Sequence, residues 1–290
     1  MSRQLLGLLA LAVAASLSAC GAVDCVATRS TARLLERARA GSLDEPDFDL
    51  AREASPAQLK LIESVLVSDP RNRALHRLAA EGFAGEAFLF VEDSAPARAK
   101  GLYRRGREHA LAALARKAAF RGLADKTLDD FAKTLAKAKK DDVPDLFWAA
   151  FCWAGEINLS KDDAGMLAEL PKASALMTRA AELDPGYHFD GADLFFGVYY
   201  ASRPAILGGD PQKALQRFAA AQKATSDRYL MAYLLEARWY AVAVQDRELF
   251  KQLLAKVADA SFVSLPEARL TDEAAKRKAR ALLEKIDDYF

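Results

Sequence analysis

Apolar and polar residues follow one another along most of this chain with the period of an α-helix. The clearest stretch is 229–244. There Leu230, Tyr233, Leu234, Ala237, Ala241 and Val244 fall at offsets of 0, 3, 4, 7, 11 and 14, which form one stripe down a helix. Ser55-Pro56 reads as a helix start, with the serine as N-cap and the proline at the first helical position. Leu59, Ile62 and Leu66 give that helix its apolar face, and Asp69-Pro70-Arg71-Asn72 breaks it. A second helix is predicted over 74–90. A third, over 96–116, carries Arg98, Lys100, Arg104, Arg105 and Arg107 as a basic outer face. Segment 117–140 reads as a short lysine-rich helix between turns. No run of alternating β-branched residues sits between turn clusters, so the fold class is all-α.

Some of the helices repeat. Ala173, Met177, Ala180 and Pro185 are spaced by 4, 3 and 5 residues, and Ala214, Phe218 and Ala221 repeat the first two spacings 41 residues later. Ile62, Val65 and Pro70 match the later part of the pattern. The second helix of a tetratricopeptide (TPR) repeat shows small, large, small and proline at these intervals: small residues let paired helices approach, and proline stops the second helix. The period exceeds that of a regular TPR, so loops are inserted. One is visible at Arg203-Pro204-Ala205-Ile206-Leu207-Gly208-Gly209-Asp210-Pro211. There Gly-Gly supplies positive φ, Asp210 caps and Pro211 opens the next helix. The architecture expected over 55–290 is an irregular TPR-like helical repeat array, an α-α superhelix.

The start of the chain follows different rules. Arg3 is followed by an apolar run and then by Leu17-Ser18-Ala19-Cys20. A single positive charge before a short apolar run is a secretory signal, too short to span a bilayer. Leucine, two small residues and cysteine form a lipobox, so residues 1–19 are expected to be removed and Cys20 to be lipidated. Gly21, where many inner-membrane lipoproteins carry aspartate, points to the outer membrane. Residues 20–54 are expected to be the lipidated N-terminus and a tether, with a short helical stretch at 32–40. No later stretch reaches the ~20 apolar residues of a transmembrane helix, so the lipid is the membrane contact.

Removal of 19 of the 290 residues leaves 271, enough for a substantial core. Without Arg3 the chain holds 40 basic and 40 acidic side chains, a balance that argues against nucleic acid as a partner. An apolar content of 52% argues against general disorder. Beyond Cys20 only Cys25 and Cys152 remain. The periplasm would permit a bridge between them, but Cys152 lies in an apolar run and reads as a buried free thiol.

Catalytic patterns are lacking. His76, His109 and His188 fall in separate segments without metal-ligand spacing and read as surface or capping residues. There is no nucleophile elbow, phosphate loop or dinucleotide fingerprint. The chain therefore reads as a non-enzyme without cofactor or metal. Two aromatic segments stand out, 146–155 and 194–200, both apolar on more than one face. Such helices are either core or the wall of an internal cavity. Trp148, Phe151, Phe196, Tyr199, Tyr200 and Arg203 are the candidates for lining an apolar ligand site or pore. Glu156, Asp193 and Arg203 flank these runs, and each either finds a charge partner or points to solvent.

The same segments resemble a known family. Asp142-Val143-Pro144, the Phe147-Trp148-Ala149-Ala150 helix, Leu159-Ser160-Lys161-Asp162-Asp163, Ala201-Ser202-Arg203-Pro204, Gly208-Gly209-Asp210-Pro211 and the closing stretch 280–290 are similar to the TatT lipoproteins. These are the T components associated with tripartite ATP-independent periplasmic (TRAP) transporters. The resemblance covers about residues 57–290. It implies a TPR-like lipoprotein able to form a homotrimer, a largely apolar pore, and partnership with the transporter's periplasmic substrate-binding protein. It brings no catalytic residues. The alternatives are a TPR lipoprotein scaffold for cell-envelope assembly with no ligand of its own, and an envelope enzyme whose residues go unrecognised.

Cys20→Ser should abolish incorporation of a radiolabelled fatty acid and leave an unprocessed precursor, because no other nucleophile occupies the lipobox. Equal label in variant and wild type would remove the lipoprotein reading.

Overall fold

The structure is a computed structural model that describes Thr28, residues 30–261 and residues 264–290. The expected signal segment, Cys20 and Cys25 lie outside these residues. Helix α1 covers 30–43. It is followed by α2 (Phe48–Ser68), α3 (Arg73–Gly85), α4 (Pro96–Leu114), α5 (Leu128–Leu135), α6 (Val143–Asn158) and α7 (Ala164–Ala168). Then come α8 (Leu170–Leu183), α9 (Tyr187–Ala201), α10 (Pro211–Ala224), α11 (Leu230–Leu235), α12 (Arg247–Ala258) and α13 (Arg269–Glu284). No strand occurs among the described residues. The fold is the all-α helical array that the periodicity predicts.

Neighbouring helices pair antiparallel. His76 and Phe83 of α3 face His109 and Arg105 of α4. Asp193 and Tyr200 of α9 face Arg217 and Lys213 of α10. The spaced small and large residues do what their pattern predicts: Ala173, Met177 and Ala180 of α8 and Ala214, Phe218 and Ala221 of α10 are all buried. The loop before α10 also follows the sequence. Gly208 has φ +86°, and a Cβ on Gly209 would fall 1.9 Å from the Arg203 carbonyl oxygen. Asp210 accepts the Lys213 N–H at 3.0 Å, with Pro211 in the first turn.

The helix start expected at Ser55-Pro56 is corrected. Helix α2 begins eight residues earlier, with Asp47 as its N-cap accepting the N–H groups of Asp49 (3.0 Å) and Leu50 (3.1 Å). Pro56 lies inside the helix on its exposed side, where the Arg52 carbonyl that loses its helical donor belongs to an exposed residue. Phe48 in the first turn packs edge-on against Phe90 at 5.0 Å, which rewards the extension. The domain edge expected at 54/55 therefore falls within a helix. Residues 30–54 are also held to the body: Ala32 is buried with Leu59, Ile62 and Leu75, and Arg39 pairs with Glu81 (2.7 Å) and Glu267 (2.6 Å).

The expected basic outer face of α4 is only partly outward. Arg104 and Arg107 reach over α6 to Glu156, each at 2.9 Å, and Glu156 is buried. Arg105 pairs with Glu63 and sits over the Phe83 ring. The close approach of α3, α4 and α6 explains this turn inward. At Gly106 a Cβ would meet Cys152 Sγ at 2.6 Å and the Ala80 carbonyl oxygen at 3.2 Å, so the helices touch through backbone and sulfur. Cys152 itself is a buried free thiol. The histidines also depart from the surface reading. His76 and His109 come together, Nδ1 to Nδ1, at 2.9 Å, with His109 stacked on Phe83. Burial and the neighbouring His76 push His109 down to about 4.

Helices α3 and α11 each run on into a widened π turn, at Glu86–Val91 and Glu236–Ala241. Val244, the end of the predicted stripe, falls in the turn that follows the second of these and is 38% exposed. The N-terminus of α11 is held by Asp272, a fully buried carboxylate that accepts the Leu230 N–H at 3.0 Å. Desolvation pushes the Asp272 carboxyl up to about 6.

A raised carboxyl pKa stabilises the fold most below the unfolded value and loses that contribution as pH climbs through the folded one. The stability difference between wild type and Asp272→Asn should therefore change between pH 4 and pH 6, with wild type losing ground as pH rises. Urea unfolding of both proteins across that interval checks it, and parallel pH profiles would contradict it.

Candidate functional site

Two large apolar clusters meet in the middle of the array. One is built mainly from α3, α4, α6 and α8, the other mainly from α10 to α13, and Phe88 and Phe90 pack against both. A cavity of about 350 Å³ opens along this seam. Helix α9 gives it one long wall. Gly191, Leu194, Phe195, Val198 and Tyr199 face it, spaced three or four apart or adjacent, as one side of a helix requires, and Ser202 and Arg203 extend the wall just past the helix end. Helix α6 supplies Phe147, Trp148, Phe151, Ala154, Gly155 and Asn158. The two π turns add Phe88 and Leu89 from one side and Arg238 and Trp239 from the other.

The aromatic wall is continuous. Trp148 meets Phe147 at 5.0 Å, Phe151 at 5.6 Å and His188 at 4.8 Å. Gly191 is needed beside it, because a Cβ there would lie 2.7 Å from the Phe147 ring. His188 is half-buried with its remaining surface toward cavities, and desolvation pushes its imidazole down to about 3, so it is neutral at ordinary pH. His188, Phe189 and Asp190 have φ of 50°, 59° and 59°, a left-handed turn at the start of α9. Non-glycine residues hold that region only where packing over-determines it, at roughly 1–3 kcal/mol each. On the other side of this turn lies a second, more open cavity of about 590 Å³, lined by Arg39, Arg228 and Glu267, and His188 borders both. Asp190 also faces the second cavity. Burial and the nearby Asp193 push its carboxyl up to about 6.

Charges at the first cavity are mostly paired. Glu92 accepts the Tyr103 hydroxyl (2.6 Å) and pairs with Arg238 (3.2 Å); burial and this carboxylate hold the Tyr103 phenol well above its usual range. Glu81 pairs with Arg39. Arg203 lies 3.6 Å over the Tyr199 ring and donates to the Tyr199 carbonyl at 2.9 Å. Lys161 sits 5.6 Å from the Trp239 ring centre. The walls offer apolar surface, aromatic faces and a few fixed charges: the features of a binding site.

Of the residues singled out from sequence, Trp148, Phe151, Tyr199 and Arg203 are brought together on this cavity. Phe196 and Tyr200 are not among its walls. They lie toward α10, where Arg217 is 5.7 Å from the Phe196 ring and Lys213 is 5.6 Å from the Tyr200 ring. One position along a helix turns the side chain by about a quarter circle, so neighbours in one aromatic run face different partners. Glu156 and Asp193 point away from the cavity to arginines, Asp193 to Arg217 at 2.6 Å. Sequence reasoning missed Phe88, Arg238 and Trp239. The sequence holds no signal for them: Glu-Ala opens both π turns, at Glu86-Ala87 and Glu236-Ala237, but the same pair recurs at Glu53-Ala54 and Glu273-Ala274 inside ordinary helices.

Comparison with known proteins accords with this geometry. A protein of Treponema pallidum (strain Nichols), itself described as uncharacterized, is 23% identical over 265 residues, spanning 85% of this chain and 81% of the relative. Residues 44–290 match the family described as TAtT, TRAP transporter T-component. The match takes in every wall of the cavity except Leu43, and the chain belongs to this family of TRAP transporter T components.

Proposed function

We propose that this protein is a periplasm-facing lipoprotein that holds the substrate-binding protein of its TRAP transporter and carries an apolar ligand in the central cavity. Residues 1–19 are its export signal, and Cys20 its lipid anchor, in the outer membrane. Family membership supports the association with the transporter, and no described helix is long and apolar enough to cross a membrane. The observation that carries the ligand reading is the cavity itself: about 350 Å³ of space between two cores, walled by Trp148, Phe151, Phe147 and Phe88. A tightly packed interior leaves few voids larger than a water molecule, so a space of this size lined by aromatics is suited to an occupant. The helical array offers extended surface to a protein partner. The family resemblance supports assembly as a homotrimer.

Crosslinking in cells followed by affinity purification should recover the substrate-binding protein encoded with the transporter. Recovery of cell-wall assembly enzymes in its place would favour an envelope scaffold. Ligand binding is tested separately. Trp148→Ala should shift the affinity for an apolar fluorescent probe several-fold and destabilise the fold by less than the ~3–5 kcal/mol of a tightly packed tryptophan. Tyr200→Ala, off the cavity, should leave probe affinity at the wild-type value. Equal probe binding by all three proteins would refute the ligand reading.

A further inference from the structure

The charges around the cavity do not balance locally. Its carboxylates are neutralised from outside or across the wall: Glu81 by Arg39, and Glu92 by Arg238 and Lys278. Its two other cations are different. Among the described residues, Lys161 and Arg203 meet no carboxylate within salt-bridge distance; their contacts are the Trp239 ring for one, and the Tyr199 ring and carbonyl for the other. Arg203 is half-buried as well. A cation removed from water without a counter-ion is costly, and its guanidinium keeps donors that the single bond from Nη1 to Tyr199 does not use. Desolvation accordingly lowers the Arg203 pKa from its usual value.

Position gives this charge a meaning. Along α9 the residues facing the cavity are Leu194, Phe195, Val198 and Tyr199, and Ser202 and Arg203 follow just past its C-terminus. The wall is apolar from Leu194 to Val198 along the helix and cationic just past the helix C-terminus, at Arg203. Lys161, just beyond the C-terminus of α6, borders the same cavity and is exposed. The cavity therefore has an apolar body with positive charge at the end formed by the C-terminal ends of α6 and α9.

From this arrangement we infer that the ligand is an amphipathic anion, a single acyl or alkyl chain with one carboxylate or similar head group, its head at Arg203 and Lys161 and its chain along α9 toward Trp148. This inference rests on the cavity being a ligand site, and deepens it by naming the chemical class. The planar guanidinium, already fixed over the Tyr199 ring, presents its free N–H groups to a carboxylate with little further loss of freedom.

Three probes with one chain and different heads test the inference: dodecanoate, dodecanol and dodecyltrimethylammonium. Each would compete with an apolar fluorescent dye on the whole mature protein, below the concentration at which the probes form micelles. Dodecanoate should bind about tenfold more tightly than dodecanol, the ratio that one charge-assisted hydrogen bond supplies, with the ammonium weakest. Arg203→Gln should remove most of that preference while leaving dodecanol affinity unchanged, Arg203→Lys should restore part of it, and Lys161→Gln should have a smaller effect. Dodecanol binding as tightly as dodecanoate, or Arg203→Gln weakening both alike, would overturn the anionic head group and leave the apolar site standing. Failure of all three chains to displace the dye would overturn the ligand reading as well.

Discussion

Four helices close around α6, and that enclosure dictates where charge can sit in this protein. Helices α3, α4, α8 and α9 all contact it, and its buried residues include Leu146, Phe147, Trp148, Ala149, Ala150, Cys152 and Trp153. A helix so surrounded has no polar side, so each charge it carries must find a partner on a neighbour. At its N-terminal end, Asp145 is gripped by Arg73 and Arg77 of α3, with Nε to carboxylate distances of 2.8 Å in both cases. Asp142, just before it, is held by Arg73 and Lys117. Burial alone would raise its pKa, but Lys117, the Lys139 N–H and Arg73 bring it below the usual carboxylate range. Near the other end, Glu156 draws in Arg104 and Arg107. Such buried pairs add little net stability over apolar packing, but removing one member strands the other. They therefore fix the angle of α6 about its axis, and with it the direction of Trp148 and Phe151.

The cavity is a consequence of that fixed angle. Facing α6 across the seam is α9, whose own angle is set by Gly191 against Phe147 and Gly197 against Phe218, both too close for a Cβ. The remaining walls come from the π turns. A π turn is less favourable than the α-helix it interrupts and is found mostly where it serves a site. Here the two turns carry Phe88, Leu89, Arg238 and Trp239 to the seam from opposite sides. The apolar clusters stay separate where the four elements meet, and the space between them is what a ligand would occupy.

Local chemistry written in the chain decided much of this. The caps at Asp210 and Pro211, the spacing of Ala173, Met177 and Ala180, and the all-round apolar character of α6 and α9 depend on residues within a turn or two of one another, so they survive translation into structure intact. Together they determined the all-α array and placed the aromatic segments at its centre. Other features depended on contacts far along the chain. Helix α2 begins at Phe48 rather than at Ser55 because Phe90 is there to receive it. His76 finds His109, and Glu156 finds Arg104 and Arg107, only because α3, α4 and α6 lie side by side. The division of one aromatic run into Phe195 and Tyr199 on the cavity and Phe196 and Tyr200 toward α10 was likewise decided by tertiary structure. A sequence fixes the angle between two side chains on one helix. For a helix apolar on more than one side it supplies no moment to say which angle faces the core and which the empty space, so that choice belongs to the neighbours that pack around it.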